Sequence, residues 1–448
     1  QLNELTSRSP ASLLWQYCLP AVVGMVVMSV YNIIDRIVIG QVVGPNAIAG
    51  LAITFPVTNL ATAIGVLVGM GAAARTSILL GEGDKERASL VLGNALVLTI
   101  VNALVYLTLF WVFLDDLLYA FGASEVTIPY ARDFMLWILP GMLMINLAFG
   151  FNNIMRASGY PTRAMFTMII GAGVNIVLAP VFVYFLDLGI KGAAIATDIS
   201  MTISMLFVMS HFCRRSANLH FKRGIYRLHW KIIWEMISIG AAPSILNVTG
   251  CLINVVLNYS LFHYGGDMAI AVGSILGTYA SFIATIILGL CQGMQPIIGY
   301  NYGARRPDRI RKTFLLVLGA STFICLLGCL GGVFMPGLLA RAFTTDAALI
   351  ALAQECIPIA QLAFFLVGLQ IVSATFFESI GQAGRSIFLS LTRQTIFLVP
   401  LLLILPHFFG LMGIFASFSV SDILATFVAA LLLALEFRTL KKMTPENA

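Results

Sequence analysis

Residues 19–40 read LPAVVGMVVMSVYNIIDRIVIG, an apolar run in which Asp35 and Arg36 are the only charged residues. About 20 apolar residues, each rising about 1.5 Å along a helix, match the ~30 Å hydrocarbon core of a bilayer. Comparable runs lie near 12–40, 46–72, 88–113, 128–154, 162–187 and 192–213, then near 232–263, 268–299, 310–336, 348–377, 386–406 and 411–436. Twelve such runs predict an all-α membrane protein with twelve transmembrane helices, because a helix satisfies every backbone polar group within one segment.

Composition agrees with that reading. The chain is 59% hydrophobic and 10% charged, where a soluble domain carries about 25% charged residues, so a water-soluble fold is excluded. The net charge of +6 comes from short basic clusters between apolar runs, which marks membrane topology rather than nucleic-acid binding. Cys18, Cys213, Cys251, Cys291, Cys325, Cys329 and Cys356 show no paired Cys/His spacing and are expected as small buried apolar residues, with no metal beyond a coupling sodium ion. The opening QLNELTSRSPAS is polar and lacks a signal-peptide layout, so the first helix is expected to stay as an anchor.

Every second connection is basic. The clusters are Lys85 and Arg87; Arg156 and Arg163; Arg214, Arg215, Lys222, Arg223, Arg227 and Lys231; Arg305, Arg306, Arg309, Arg311 and Lys312; Arg385; and Arg438, Lys441 and Lys442. The connections at 41–46, 114–127 and 263–267 carry no Lys or Arg. The positive-inside rule then predicts a multi-pass protein of the bacterial cytoplasmic membrane with both termini in the cytoplasm. Lys191 and Arg341 are isolated exceptions, placed where long side chains snorkel.

Sliding the chain against itself by half its length brings landmarks into register. Pro20 falls on Pro243, Asp35 on Asn258, GEGDKERA at 81–88 on GARRPDRI at 303–310, and RASGYPTRAM at 156–165 on ESIGQAGRSI at 378–387. Gly189 and Gly192 fall on Gly410 and Gly413. With six spans between matched points, the halves share one orientation and form two pseudo-symmetric six-helix bundles. The expected division is 1–213, a basic linker at 214–231, and 232–448.

Carboxylates inside spans carry the chemistry, since a charge in hydrocarbon needs a cavity or a partner. Asp35 has Tyr31 and Asn32 four and three residues before it, on one helical face. Asp198 follows Thr197 in the sixth span. Glu378 reads as an interfacial carboxylate, and Glu355 and Asp422 as buried structural partners. Prolines within spans, at 20, 56, 140, 180, 243, 296 and 400, mark kinks. Phe55, Phe149, Tyr279, Tyr300 and Phe376, with Asn32, are candidates to line a cavity for flat cations. Walker, HExxH and GxSxG patterns are missing, so a secondary transporter is expected rather than an ATPase or hydrolase.

Residues 19–40, RASGYPTRAM at 156–165, GVNIVLAPVFV at 173–183, GIKGAAIATDIS at 189–200, QPIIGYNYGARRPDR at 295–309 and LTRQTIFLVPLLLILPHFFGLMGI at 391–414 together resemble the multidrug and toxic compound extrusion (MATE) family, in particular its MepA-like bacterial branch. The resemblance covers essentially the whole chain. It implies two six-helix bundles around a central cavity, exporting amphipathic, often cationic compounds in exchange for inward-moving protons or sodium ions, with no other cofactor. It further implies a proton or sodium site at Asp35, a kink proline at Pro20, and partners at Asn175, Thr197 and the carbonyl of Ala193. One departure stands out: the family carries Asp where this chain has Ala179. The expected coupling ion is therefore a proton, which needs one desolvated carboxylate, with sodium as the alternative if Asp198 replaces the missing acid. The expected partners are small-molecule drugs or organic cations and the bilayer itself, and the expected state is a monomer. A lipid or lipid-linked oligosaccharide flippase of the related superfamily is the competing reading; it would need several basic residues to meet phosphates.

Overall fold

The computed structural model describes residues 2–442; the outermost ends of the two expected halves, residue 1 and residues 443–448, lie outside the described residues. It is all-helical, with no strand among those residues. The spans are α1 (Pro10–Val42), α2 (Pro45–Gly81), α3 (Lys85–Val112), α4 (Ile128–Ala157), α5 (Pro161–Pro180, continued by a π-helical turn Val181–Phe185) and α6 (Gly189–Phe212). Ser9 caps α1 by accepting from the Ser12 amide, and Asp84 caps α3 by accepting from the Arg87 amide. These caps satisfy donors that a helix start leaves unpaired.

Helical hydrogen bonding then runs from Trp230 to Gly303, but Gly266 inside it has φ 64° and ψ −157°. A straight helix would hold Leu257 and Gly277 about 30 Å apart, yet both line one cavity, and a Cβ built on Gly273 would meet the Leu261 side chain at 2.6 Å. Gly266 is therefore the tip of a hairpin between α7 (230–265) and α8 (267–303). The sequence suggested a five-residue connection there; one glycine in a backbone region closed to other residues makes the turn. Four more spans follow: α9 (Pro307–Phe334), α10 (Ala347–Gln361 with Phe364–Ser379, bent by 42°), α11 (Ala383–Phe409) and α12 (Leu411–Leu440). Among the described residues, with the hairpin at Gly266 counted as two spans, the total is the twelve expected. Within α11 a π-helical stretch, Thr392–Leu398, precedes Pro400, as another follows Pro180 in α5. A proline frees carbonyls of the preceding turn, and in α11 the shifted hydrogen-bond register before Pro400 accommodates them.

The internal repeat is visible in the backbone itself. Eight of the left-handed residues described fall in pairs, Gly44 with Gly266, Gly83 with Arg305, Gly159 with Gly381 and Gly189 with Gly410, at an offset constant to within one residue. Short helices after α3 (Leu114–Ala120) and α9 (Pro336–Phe343) repeat likewise.

Among the described residues, the close backbone approaches and hydrogen bonds between the two halves gather at one end. Gly71 abuts the carbonyl of Met236 and Gly240 that of Leu67, closer than any side chain would permit. Near the same end, Arg75 pairs with Glu235 at 2.7 Å, Ser244 donates to the Ala63 carbonyl at 2.8 Å, and Cys18 to the Leu290 carbonyl at 3.3 Å. The contact farthest along α2 and α7 is Asn59 Nδ2 to Cys251 Sγ, at 3.1 Å. Among the described residues, no hydrogen bond joins the halves between that contact and the turns at Gly44 and Gly266. The chain between α6 and α7 is clasped to the first half. Asn94 Nδ2 donates to the Arg227 carbonyl at 2.9 Å, its Oδ1 accepts from the His229 amide at 2.9 Å, and Leu219 and Ile225 are buried in that half's core.

Replacing Gly266 with alanine is expected to destabilise the detergent-purified protein by about 1–3 kcal/mol, whereas Gly319→Ala, where a Cβ meets nothing within 4 Å, is expected to leave the melting temperature unchanged. Thermal unfolding of the two variants checks the hairpin.

Candidate functional site

Tyr31, Asp35 and Ile39 stand at i, i+4 and i+8 on α1, one above another on a single face. Tyr31 packs in one cluster with Ala172 of α5 and Met201 of α6, and Ile39 in another with Val183, Ile190 and Ala193. Asp35 lies between them, level with the stretch of α5 that holds Asn175 and the stretch of α6 that holds Thr197. Asn175 is buried and donates through Nδ2 to Thr197 Oγ1 at 3.1 Å, which in turn donates to the Ala193 carbonyl at 3.0 Å. Three of the residues singled out in the sequence thus form one hydrogen-bonded chain. Asp35 Oδ1 is buried and has no hydrogen-bond partner, and Asn32 donates back to the Met28 carbonyl at 2.9 Å. A carboxylate oxygen buried without a donor is costly when charged and tolerable when protonated.

Asp198 points elsewhere. Its carboxyl packs on Gly141 of α4, where even a Cβ would overlap it, and its Oδ1 also has no hydrogen-bond partner. Successive helical residues diverge by about 100°, so Asp198 and Thr197 serve different neighbours. Ala179 is buried and brings no oxygen from its side chain. Pro20 lies in the part of α1 that packs on α8: Cys18 and Val22, on either side of it, lie against Gly293 and Gly289, and Gly24 beyond them lies against Met168 of α5.

The aromatic candidates separate. Phe55 is exposed on α2, one turn beyond Asn59 and away from the closed end. Phe376 is fully buried among Phe314, Phe377 and Phe437, so it belongs to the core of the second bundle and not to a cavity wall. Tyr279 donates to the Gly328 carbonyl at 2.7 Å, and Tyr300 packs at the closed end against the first half's core. Phe149 is half-buried.

Several polar residues differ from their sequence reading. Glu378 is not interfacial but buried, accepting from Gln295 Nε2 at 3.0 Å. Glu355 is exposed rather than buried, and Asn258, the repeat partner of Asp35, is exposed. Cys213 is exposed, unlike the other cysteines. Arg156, grouped with a basic connection, is 2% exposed. Its guanidinium donates to Gln292 Oε1 at 2.8 Å, Asn152 Oδ1 at 2.9 Å and Asn153 Oδ1 at 3.2 Å. Arg393, which the sequence reading passed over, pairs with Asp422 at 2.8 Å inside the second bundle. The repeat did hold a signal, since Arg156 falls on Glu378. A buried cation in one half faces the matched position of a buried anion in the other, each held by a glutamine of α8. Among the described residues no group of three or more His, Cys, Asp or Glu is arranged to hold a metal.

The MatE family model matches residues 20–181 and 242–404, once in each half. The chain is 26% identical over 422 residues to the multidrug export protein MepA of Staphylococcus aureus (strain MRSA252), covering 94% of this chain and 92% of that protein. It is 26% identical over 430 residues to the multidrug export protein MepA of Staphylococcus haemolyticus, covering 96% and 94%. In fold it is similar to the outward-facing conformation of a multidrug resistance MATE family transporter of the MOP superfamily, with a TM-score of 0.92 at 24% identity over 98% of each chain. The family match spans most of both bundles, and this chain belongs to the MatE family.

Proposed function

We propose that this protein is a secondary transporter that exports amphipathic, often cationic compounds across the cytoplasmic membrane in antiport with protons. The observation that carries the reading is Asp35, a carboxylate with one buried, partnerless oxygen on the face of α1 that runs level with the Asn175–Thr197–Ala193 chain. An acid in that setting changes charge when it takes up or gives off a proton, and the change can bias a helix that carries a proline, Pro20, within its span. The staphylococcal relatives being multidrug export proteins supports the export arm of the reading.

Protons are favoured over sodium because a sodium ion prefers several oxygen ligands. Ala179 supplies none from its side chain, and Asp198 is packed on Gly141 rather than turned to Asn175 and Thr197. The division of labour we propose has residues 1–213 and 232–448 as lobes that rock about the closed end, joined by 214–231. With the basic connections in the cytoplasm, the cleft between the lobes opens outwards, and Asn32 and Phe55, exposed on α1 and α2, belong to the path that substrate takes. A flippase reading is less well supported, since the terminal nitrogens of the buried Arg156 are already held by amides and a phosphate would find few other cations within the spans.

Asp35→Asn is expected to express and insert normally but to lose export of a fluorescent lipophilic cation driven by a proton gradient in everted vesicles; unimpaired export would overturn the coupling assignment. Asp198→Asn is expected to keep proton-driven export, and loss of a sodium-dependent component would reveal sodium coupling instead. Asn59→Cys should form a disulfide with Cys251 under oxidation and stop export until reduced, and unchanged turnover with the bridge formed would rule out rocking. Arg223→Cys and Arg306→Cys, both at exposed positions, are expected to react with an impermeant maleimide only in everted or permeabilised membranes; labelling from outside intact cells would invert the topology.

A further inference from the structure

The second bundle contains a cavity of about 290 Å³ between α7, α8, α10, α11 and α12. It lies away from Asp35, in the opposite half of the chain. Its polar wall is formed by Arg393, Asp422, Gln361, Gln394, Asn254 and Ser281. The rest is apolar, with Leu257, Leu276, Phe364 and Phe415 presenting hydrocarbon. Asn254 and Ser281 are exposed, and Asn254 is one turn beyond Cys251, whose sulfur meets Asn59 of the first half. That edge of the wall is therefore one helical turn from the first half.

Arg393 is built into this wall with unusual care. It sits in the π-helical stretch of α11, and successive residues of α12 hold it. Ser421 Oγ donates to its carbonyl at 2.7 Å, and Asp422 Oδ1 accepts from its Nε at 2.8 Å. Asp422 is itself 3% exposed. The acid thus grips the guanidinium from the side and leaves the terminal nitrogens, the pair that matches a carboxylate in parallel hydrogen bonds, without a partner among the described residues. Around them the second polar element is just as incomplete. Gln361 is 2% exposed, and its Oε1 and that of Gln394 are buried with no hydrogen bond. Buried amides without partners cost about 1–3 kcal/mol each, a cost that a bound molecule with matching groups removes.

These groups specify a ligand. The unused guanidinium fork calls for an anionic group of carboxylate geometry, the amide oxygens call for an N–H or O–H, and the apolar wall calls for a hydrocarbon body. The volume sits at the small end of ligand pockets, about 300–1,000 Å³. A cation finds less here, because the one carboxylate in the wall is already neutralised by Arg393. We propose that the cavity of the C-terminal bundle is a binding site for small apolar carboxylic acids that carry a hydrogen-bond donor, with Arg393 as anion receptor, Gln361 and Gln394 as acceptors, and Asp422 as the residue that orients Arg393. The site is separate from the Asp35 region, so the inference stands whether or not export is proton-coupled.

Binding to the purified full-length protein in detergent tests it, with 6-hydroxy-2-naphthoate as a fluorescent probe and 2-naphthol and 2-naphthylmethylamine as controls lacking the carboxylate. The naphthoate is expected to bind saturably and at least ~10-fold more tightly than either control, a difference of about 1.4 kcal/mol. Arg393→Gln should abolish that preference, and Gln361→Leu should weaken the naphthoate several-fold. Gly277→Leu, at a position that lines the cavity and where a Cβ meets nothing within 4 Å, should block the probe while leaving the melting temperature intact, which keeps the test decisive if Arg393→Gln fails to fold. Asp35→Asn should bind the naphthoate like the parent protein. Equal or tighter binding of the amine, no saturable binding, or naphthoate binding untouched by Gly277→Leu would overturn the proposal.

Discussion

Inside hydrocarbon there is no water to complete a hydrogen bond, and every other feature of this molecule answers to that lack. The backbone meets it by running as helices through all twelve spans. Hydroxyl side chains meet it by bonding back to their own helix, as Thr62, Ser77, Ser89, Thr197 and Ser200 do. The helix interfaces meet it with glycine, so that Gly71 and Gly240 let whole backbones touch where no hydrophobic force draws them together. Against that background the polar groups left incomplete stand out, among them Asp35 and Asp198 in the first bundle and Gln361 and Gln394 around one cavity in the second.

The two bundles share a backbone and differ in charge. Left-handed turns recur at a fixed offset, yet Asp35 is matched by the neutral Asn258, and the buried cation Arg156 by the buried acid Glu378. Gln292 and Gln295, one turn apart on α8, serve these last two separately. The same frame therefore holds opposite electrostatics on its two sides, and the chemistry of one bundle cannot be carried to the other by symmetry.

Much of this was legible in the sequence because it rests on local facts. Span positions follow from apolar runs, and the repeat from prolines and glycines whose backbone demands survive when side chains change. Asn175, Thr197 and Ala193 come together because their helices pack as the family resemblance implied. What escaped were properties set by tertiary neighbours. Arg156 reads as a loop cation until three amide oxygens from two helices are found around it; Phe376 reads as a cavity aromatic until three other phenylalanines enclose it; Arg393 is unremarkable until α12 folds against the π-helical turn that carries it. The hairpin at Gly266 was read as a loop because a single residue in a rare conformation leaves little trace in composition.

The clasp between Asn94 and the segment before α7 has a mechanical consequence. Because Leu219, Ile225, Arg227 and His229 are all tied to the first bundle, the covalent connection has almost no slack by the time it reaches Trp230. The second bundle is hung from a fixed point on the first, close to the Arg75–Glu235 pair. A tether this short opposes sliding and separation at that end more than it opposes swivelling about the anchor, so the long connection is built as the pin of a joint rather than as a leash.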